Sequence, residues 1–160
     1  MPSIKITITV DAPQERVFDL SRSIDLHKQS TGQTKEEAIA GVTSGLIDLG
    51  ESVTWRATHF GIRQTLTSKI TEYKRPHYFV DEMVSGAFES FHHEHRFEKI
   101  NGMTIMTDVF NFTSPYGLLG KVADAIFLKN YMRKFLHTRN IIIKEFAESD
   151  RWNRIPGSFY

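Results

Sequence analysis

The stretch FHHEHRFEKINGMTIMTDVFNF, residues 91–112, decides the fold. At its centre Asn101-Gly102 suits the two positive φ angles of a type I′ turn, and apolar and polar residues alternate on both sides of it. The reading is a β-hairpin. If Ile100 faces Met103, stepping outward pairs Phe97 with Met106, His95 with Asp108, His93 with Phe110, and Phe91 with Phe112. One face then carries Phe91, His93, His95, Phe97, Met106, Asp108, Phe110 and Phe112. The other carries His92, Glu94, Arg96, Glu98, Ile105, Thr107, Val109 and Asn111, and is the wetter one, which accounts for His92 as a surface residue. On the apolar face only three groups are ionisable, and two of them, His95 and Asp108, stand opposite each other.

Working outward, SIKITITV (residues 3–10) alternates Ile4, Ile6, Ile8 and Val10 with polar residues and predicts a first strand. In DAPQERVFDL the period changes: Asp11 can cap a short helix, with Gln14 three residues on and Pro13 in its first turn. SIDLHKQS predicts a second short helix before Gly32, and residues 32–50 leave room for one or two short strands. The runs ESVTWRATHF, RQTLTSKITEY and HYFVDEMV then join the hairpin in an antiparallel meander. Trp55, Ala57 and His59 share one face, as do Leu66 and Ile70, but no tight turn fixes their register.

After Pro115 the period becomes helical for about thirty residues, a length of roughly 45 Å. Leu119, Ala123, Ile126, Phe127, Tyr131, Phe135, Thr138, Ile142 and Phe146 form its expected apolar stripe, and Lys121, Lys129, Arg133, Arg139 and Lys144 its solvated side.

Composition bounds the class. The chain has 160 residues, 40% hydrophobic and 24% charged, enough for one core: a single domain over 1–150, with 151–160 as an irregular tail. Net charge is +1 with basic residues dispersed, so no nucleic-acid partner is expected. There is no cysteine, which removes disulfide and thiolate chemistry. The absence of a signal-like leader or a long apolar run predicts no stable membrane insertion and a cytoplasmic location.

A strand, two short helices, a meander and a long C-terminal helix is the order of the helix-grip fold. Here the chain resembles the SRPBCC superfamily, also called START-like or polyketide cyclase/dehydrase-like, in its bacterial ligand-binding branch. The resemblance rests on DAPQERVFDL, GLIDLGESVTWRATHFG, PHYFVDEMVSGAFESFHHEHRFE, MTDVFNFTSPYGLLG and the terminal helix, and within these on Asp81, Gly86, Phe88, Phe91, His93, His95 and Phe97. Phe91 stands where that branch usually has Trp, which keeps an apolar wall and loses an indole donor. The resemblance implies an α+β fold in which a curved antiparallel sheet of six or seven strands wraps the long helix, with a cavity between them.

The chemistry of that cavity is open to several readings. His93, His95 and Asp108 approximate a two-His, one-carboxylate metal set, but side chains two apart project in parallel and no HExxH spacing is present, so neither metal nor cofactor is expected. A His95–Asp108 pair in an apolar pocket suits proton abstraction beside a carbonyl, as in a cyclase or dehydratase-type lyase or isomerase; no nucleophile accompanies it. The reading that asks least of the residues is binding of a small, largely apolar molecule, lipid-, polyketide- or aromatic-like. Trp55, Phe91, Phe97, Met106, Phe110, Phe112, Ile126, Phe127, Tyr131 and Phe135 would supply contact area while His93, His95 and Asp108 orient its polar end. A protein-interaction module is the remaining class, with Trp152, Phe159 and Tyr160 available to dock on a partner or a second copy of the chain in a homodimer.

Overall fold

The computed structural model describes residues 2–114 and 127–157. Strand β1 (Ser3–Val10) leads into helices α1 (Gln14–Ser21) and α2 (Ile24–Ser30), a short 3-10 turn and the edge strand β2 (Glu37–Gly41). Strands β3 (Ser52–His59), β4 (Ile62–Lys74), β5 (Tyr78–Ser85), β6 (Ser90–Ile100) and β7 (Met103–Thr113) follow, and helix α3 (Lys129–Glu148) closes the domain. All seven strands form one antiparallel sheet in the order β1-β7-β6-β5-β4-β3-β2. This is the helix-grip arrangement, with α3 packed against β1, α1 and α2. Register shifts in β2 and at two places between β4 and β5 increase local twist and bend, which curves the sheet around its inner face.

The hairpin forms in the expected register, from Ile100 opposite Met103 out to Phe91 opposite Phe112. Asn101 and Gly102 take φ of 52° and 78°, the positive pair that the turn requires. Its inner positions are buried and its outer ones half-buried or exposed, as the alternation demands. Phe18 of α1 plugs one end of the sheet, edge-on to Tyr73, Phe79 and Phe97 at 5.2–5.4 Å between centroids. A second apolar cluster joins Ile4, Phe91, Phe110 and Phe112 to Met132 and Leu136 of α3.

Four expectations need correction. Asp11 does not cap α1: its backbone N–H donates to the Glu148 carboxylate at 2.8 Å, and Pro13 occupies the cap position. Gln14 is a buried strut rather than a capping partner, donating to the carbonyls of Phe97 and Pro76. The face of α3 is rotated. Its buried residues are Met132, Leu136, Arg139, Asn140, Ile143 and Ala147, so Arg139 is inside, whereas Tyr131 and Phe135 lie on the flank and Phe127 is 58% exposed. Finally, the tail does not leave the domain at residue 151. Asp150–Arg154 forms a 3-10 helix, Trp152 packs beneath the Arg16 guanidinium at 4.2 Å, and Ile155 is buried. The expected stripe residues Leu119, Ala123 and Ile126, with Lys121 and the terminal Phe159 and Tyr160, lie outside the described residues.

Candidate functional site: a cavity with two polar poles

Between the inner face of the sheet and α3 lies a cavity of about 470 Å³. Its walls include Trp55, Phe91, Phe110, Phe127, Tyr131 and Phe135, together with His93 and His95. Phe97, Met106, Asp108 and Phe112 share the inner face but sit behind the wall, buried in the core. Among the polar residues that line the cavity, which include Gln64, Ser68 and Arg139, two clusters carry histidines and carboxylates.

The first pole is built from the hairpin outward. His93 and His95 project from β6, Asp108 from β7 and Asp81 from β5, where Asp81 pairs with His93 across the strands and Phe79 with His95. The two imidazoles stack against each other, 3.8 Å between centroids, and Phe79 covers the far face of His95 at 4.2 Å. Each ring is held between two carboxylates. On the cavity side His95 Nε2 is 2.8 Å and His93 Nδ1 3.6 Å from Asp81 Oδ1. On the core side His95 Nδ1 is 2.8 Å and His93 Nε2 3.2 Å from Asp108 Oδ1. The His95 Nδ1 contact is close but out of line for a ring N–H, so it is a charge contact rather than an aligned hydrogen bond. Asn140 of α3 donates to Asp108 Oδ2, and Arg139 lies 3.9 Å from the same oxygen while donating to Ser21 O and Asn140 Oδ1.

Electrostatics separates the two rings. For Asp108, burial pushes the carboxyl up, but hydrogen bonding to His93 and the charge of His95 outweigh it and hold the group well below the usual range. Asp81 behaves alike, with burial outweighed by the His95 hydrogen bond and the charges around it. Burial also opposes a charge on His95, yet its two carboxylate neighbours raise it above an ordinary histidine. His93 goes the other way: burial, then the charge on His95, lowers it. The two rings are thus shifted in opposite directions, His95 towards keeping a proton and His93 towards losing one.

The second pole, also on the cavity lining, was not anticipated. His27 of α2 stacks on Trp55 at 4.3 Å and places Nε2 2.6 Å from Glu36 Oε2, while His59 Nδ1 lies 2.6 Å from Tyr131 Oη. Burial pushes the Glu36 carboxyl up, but the charge of His27, its hydrogen bond, the charge of His59 and a Thr31 hydrogen bond outweigh it, so the group titrates below its ordinary 4.5. A depressed folded value stabilises the protein above the unfolded pKa, and that contribution is lost as pH falls through the folded value. Replacing Glu36 by Gln is therefore expected to destabilise the protein by about 1–2 kcal/mol at neutral pH, the scale of a charge-assisted hydrogen bond, with the gap to wild type narrowing below pH 4.5. Urea melts from pH 3 to 8 would measure it, and a gap that does not change with pH would refute it.

With this geometry in hand, kinship can be tested. Residues 1–139 match the profile of the family described as polyketide cyclase / dehydrase and lipid transport. The chain is a member of that family. Solved structures agree on the helix-grip fold. The Thermus thermophilus protein TTHA0849 superposes with a TM-score of 0.74 at 14% identity, covering 91% of this chain and 97% of its own. Chromobacterium violaceum protein CV1439 gives 0.69 at 13% identity, covering 92% and 98%. The ginseng major latex-like protein 151 from Panax ginseng gives 0.68 at 12% identity, also covering 92% and 98%. At such identities the likeness is one of fold. No curated protein matches the chain in sequence. Among the described residues no helix is long and apolar enough to cross a membrane.

Proposed function

We propose that this polyketide cyclase/dehydrase and lipid transport family member binds a small, largely apolar molecule carrying oxygen functions at its ends. The observation that supports this reading is the cavity itself: about 470 Å³, within the roughly 300–1,000 Å³ of small-molecule sites, with aromatic walls and two clusters of histidines and carboxylates on its lining. An apolar skeleton would fill the middle. The Asp81–His93–His95 end and the Glu36–His27–His59–Tyr131 end would each meet a hydroxyl, carbonyl or carboxylate, which favours a polyketide- or hydroxylated aromatic-like molecule over a simple hydrocarbon.

Trp55 lines the cavity and Trp152 lies outside it, so a Trp152→Phe background isolates a reporter at the site. Titration with 1-anilinonaphthalene-8-sulfonate and with laurate is expected to change Trp55 emission saturably. Ala57, a buried cavity-lining position on β3, provides the plug: Ala57→Phe should weaken both probes at least tenfold while far-UV circular dichroism is unchanged. Leu66→Phe serves if that variant fails to fold. Undiminished affinity in a folded plug variant would move the probes to exposed apolar residues outside the cavity, such as Leu49 and Val84, and count against the cavity.

A second reading has one observation in its favour. His93 is hydrogen-bonded through Nε2 to Asp108, lines the cavity and is shifted by burial towards its neutral form, the placement of a general base in a cyclase or dehydratase. Mass spectrometry of the organic extract after incubation with a linear polyketide thioester separates the two: recovered starting material supports carriage, a dehydrated or cyclised product the enzyme.

A further inference from the structure

We propose that Asp81, His93 and His95 form a binding site for a divalent transition-metal ion, open on one side to the cavity. One donor atom from each of the three lies within 4.8 Å of the others. Hairpin pairing alone argued against a metal, because two histidines on one strand project in parallel and Asp108 lies behind them. Asp81 changes that geometry. It comes from the neighbouring strand and faces the cavity-side nitrogens of both rings, His95 Nε2 at 2.8 Å and His93 Nδ1 at 3.6 Å. Donors held about 2.0–2.1 Å from one ion are separated by about 2.9–3.4 Å, so the two distances bracket what one ion requires.

For His93 the core side of the cluster is arranged as a metal-bound imidazole needs. A ligating histidine turns its other nitrogen to a carboxylate, which fixes the tautomer and directs a lone pair at the ion. Here His93 Nε2 is hydrogen-bonded to Asp108 Oδ1 at 3.2 Å, and the same oxygen lies in out-of-line charge contact with His95 Nδ1 at 2.8 Å. Asp108 is itself fixed by Asn140 and flanked by Arg139.

The donor set decides which ion. Two imidazole nitrogens and one carboxylate oxygen, without thiolate, suit Zn²⁺, Co²⁺, Ni²⁺ or Fe²⁺ rather than Mg²⁺, Ca²⁺ or Cu⁺. Asp81, His93 and His95 all line the cavity, so the remaining coordination positions face it. There they would accept the oxygen of a phenolate, enolate or carboxylate, which would make the metal the anchor for one end of the molecule proposed above. The anchoring role rests on that reading; metal binding does not.

Co²⁺ titration of untagged, chelator-treated protein tests the site without any organic ligand. The expected result is one Co²⁺ per chain with visible d–d absorption, and a Zn²⁺-induced rise in melting temperature of about 5–10 °C at a hundredfold excess over Kd. Asp81→Asn and His93→Ala should each weaken binding at least tenfold, whereas His92→Ala and His137→Ala, outside the cluster, should leave it unchanged. Circular dichroism of the metal-free variants establishes that they fold, and His95→Gln replaces either one that does not. No stoichiometric Co²⁺, or binding that survives in the folded cluster variants, would overturn the proposal and leave the four groups as a closed ion-pair network. Metal bound in a protein that takes up neither fluorescent probe nor laurate would overturn the carrier reading alone.

Discussion

Replacing Asp108 by alanine is expected to lower the unfolding free energy by about 3–5 kcal/mol, and with it the melting temperature by roughly 6–20 °C. The side chain is 1% exposed and is the meeting point of four others: His93 and His95 from β6, Asn140 and Arg139 from α3. Its removal leaves the His93 imidazole and the Asn140 amide without their acceptor and takes the counter-charge from beside Arg139 and His95. Breaking a buried pair from one side is costly for that reason, even where the intact pair adds little net stability. Asp108→Asn should be milder but still substantial, because its amide would set a donor against the Asn140 donor. The exchange Asp108→Asn with Asn140→Asp restores one donor to one acceptor and keeps the charge beside Arg139. Chemical denaturation of the two single variants and the double should show coupling of about 1 kcal/mol or more. An Asp108→Ala loss below about 1 kcal/mol would mean that the cluster is wetted and does not tie α3 to the sheet.

That cluster also marks where the sequence stopped being readable. The hairpin could be placed to the residue because Asn101-Gly102 admits one tight turn, and once Ile100 faces Met103 every later pair follows. His95 opposite Asp108 was legible on those grounds alone. Asp81 was not, although Phe79, Asp81 and Met83 alternate visibly in HYFVDEMV. The link from Ser85 to Ser90 is not a two-residue turn, so nothing in the sequence set Asp81 beside His93 rather than one pair away. The same gap hid the pole formed by His27 and Glu36, which face each other from a helix and a loop nine residues apart.

Helix α3 failed for a different reason. Counting apolar residues at spacings of three and four finds Phe127, Tyr131, Phe135, Ile142 and Phe146, and the count is sound, but it assumes that the apolar stripe is the buried one. In the fold the stripe one residue further on faces the sheet, and it is interrupted by Arg139 and Asn140. Those two are buried because the sheet offers a carboxylate and the last residue of α1 a carbonyl, partners that lie 32 and 118 residues away in the chain. Periodicity cannot register a polar residue whose acceptor is tertiary. Of the aromatics displaced by this rotation, Phe127, Tyr131 and Phe135 line the cavity, so the error in the helix face and much of the composition of the site have one cause.

Gly86→Ala is expected to destabilise the protein by about 2–5 kcal/mol, the second large effect, through backbone rather than charge. Gly86 has φ of +142°, and a Cβ built on it would stand 2.7 Å from Leu66 Cα and 2.8 Å from Thr65 O. Both are backbone atoms of β4, which cannot swing aside as a side-chain end would. The close approach occurs beside the register shift at Thr67/Ser68, where β5 leaves the sheet, and it sets the segment that carries Ala87 and Phe88 into the cavity wall next to Leu66. A methyl group here must therefore push apart two strands or the wall. Gly61 supplies the comparison: its φ is +74°, yet a Cβ there meets nothing within 4 Å, so Gly61→Ala should lose only the about 1–2 kcal/mol of the left-handed conformation. Thermal melts of the two variants separate conformational strain from collision. Equal losses would show that the Gly86 contact is absorbed without effect; a larger loss at Gly86, joined by weaker binding of 1-anilinonaphthalene-8-sulfonate, would show that the same backbone crossing that bends the sheet also holds the cavity open.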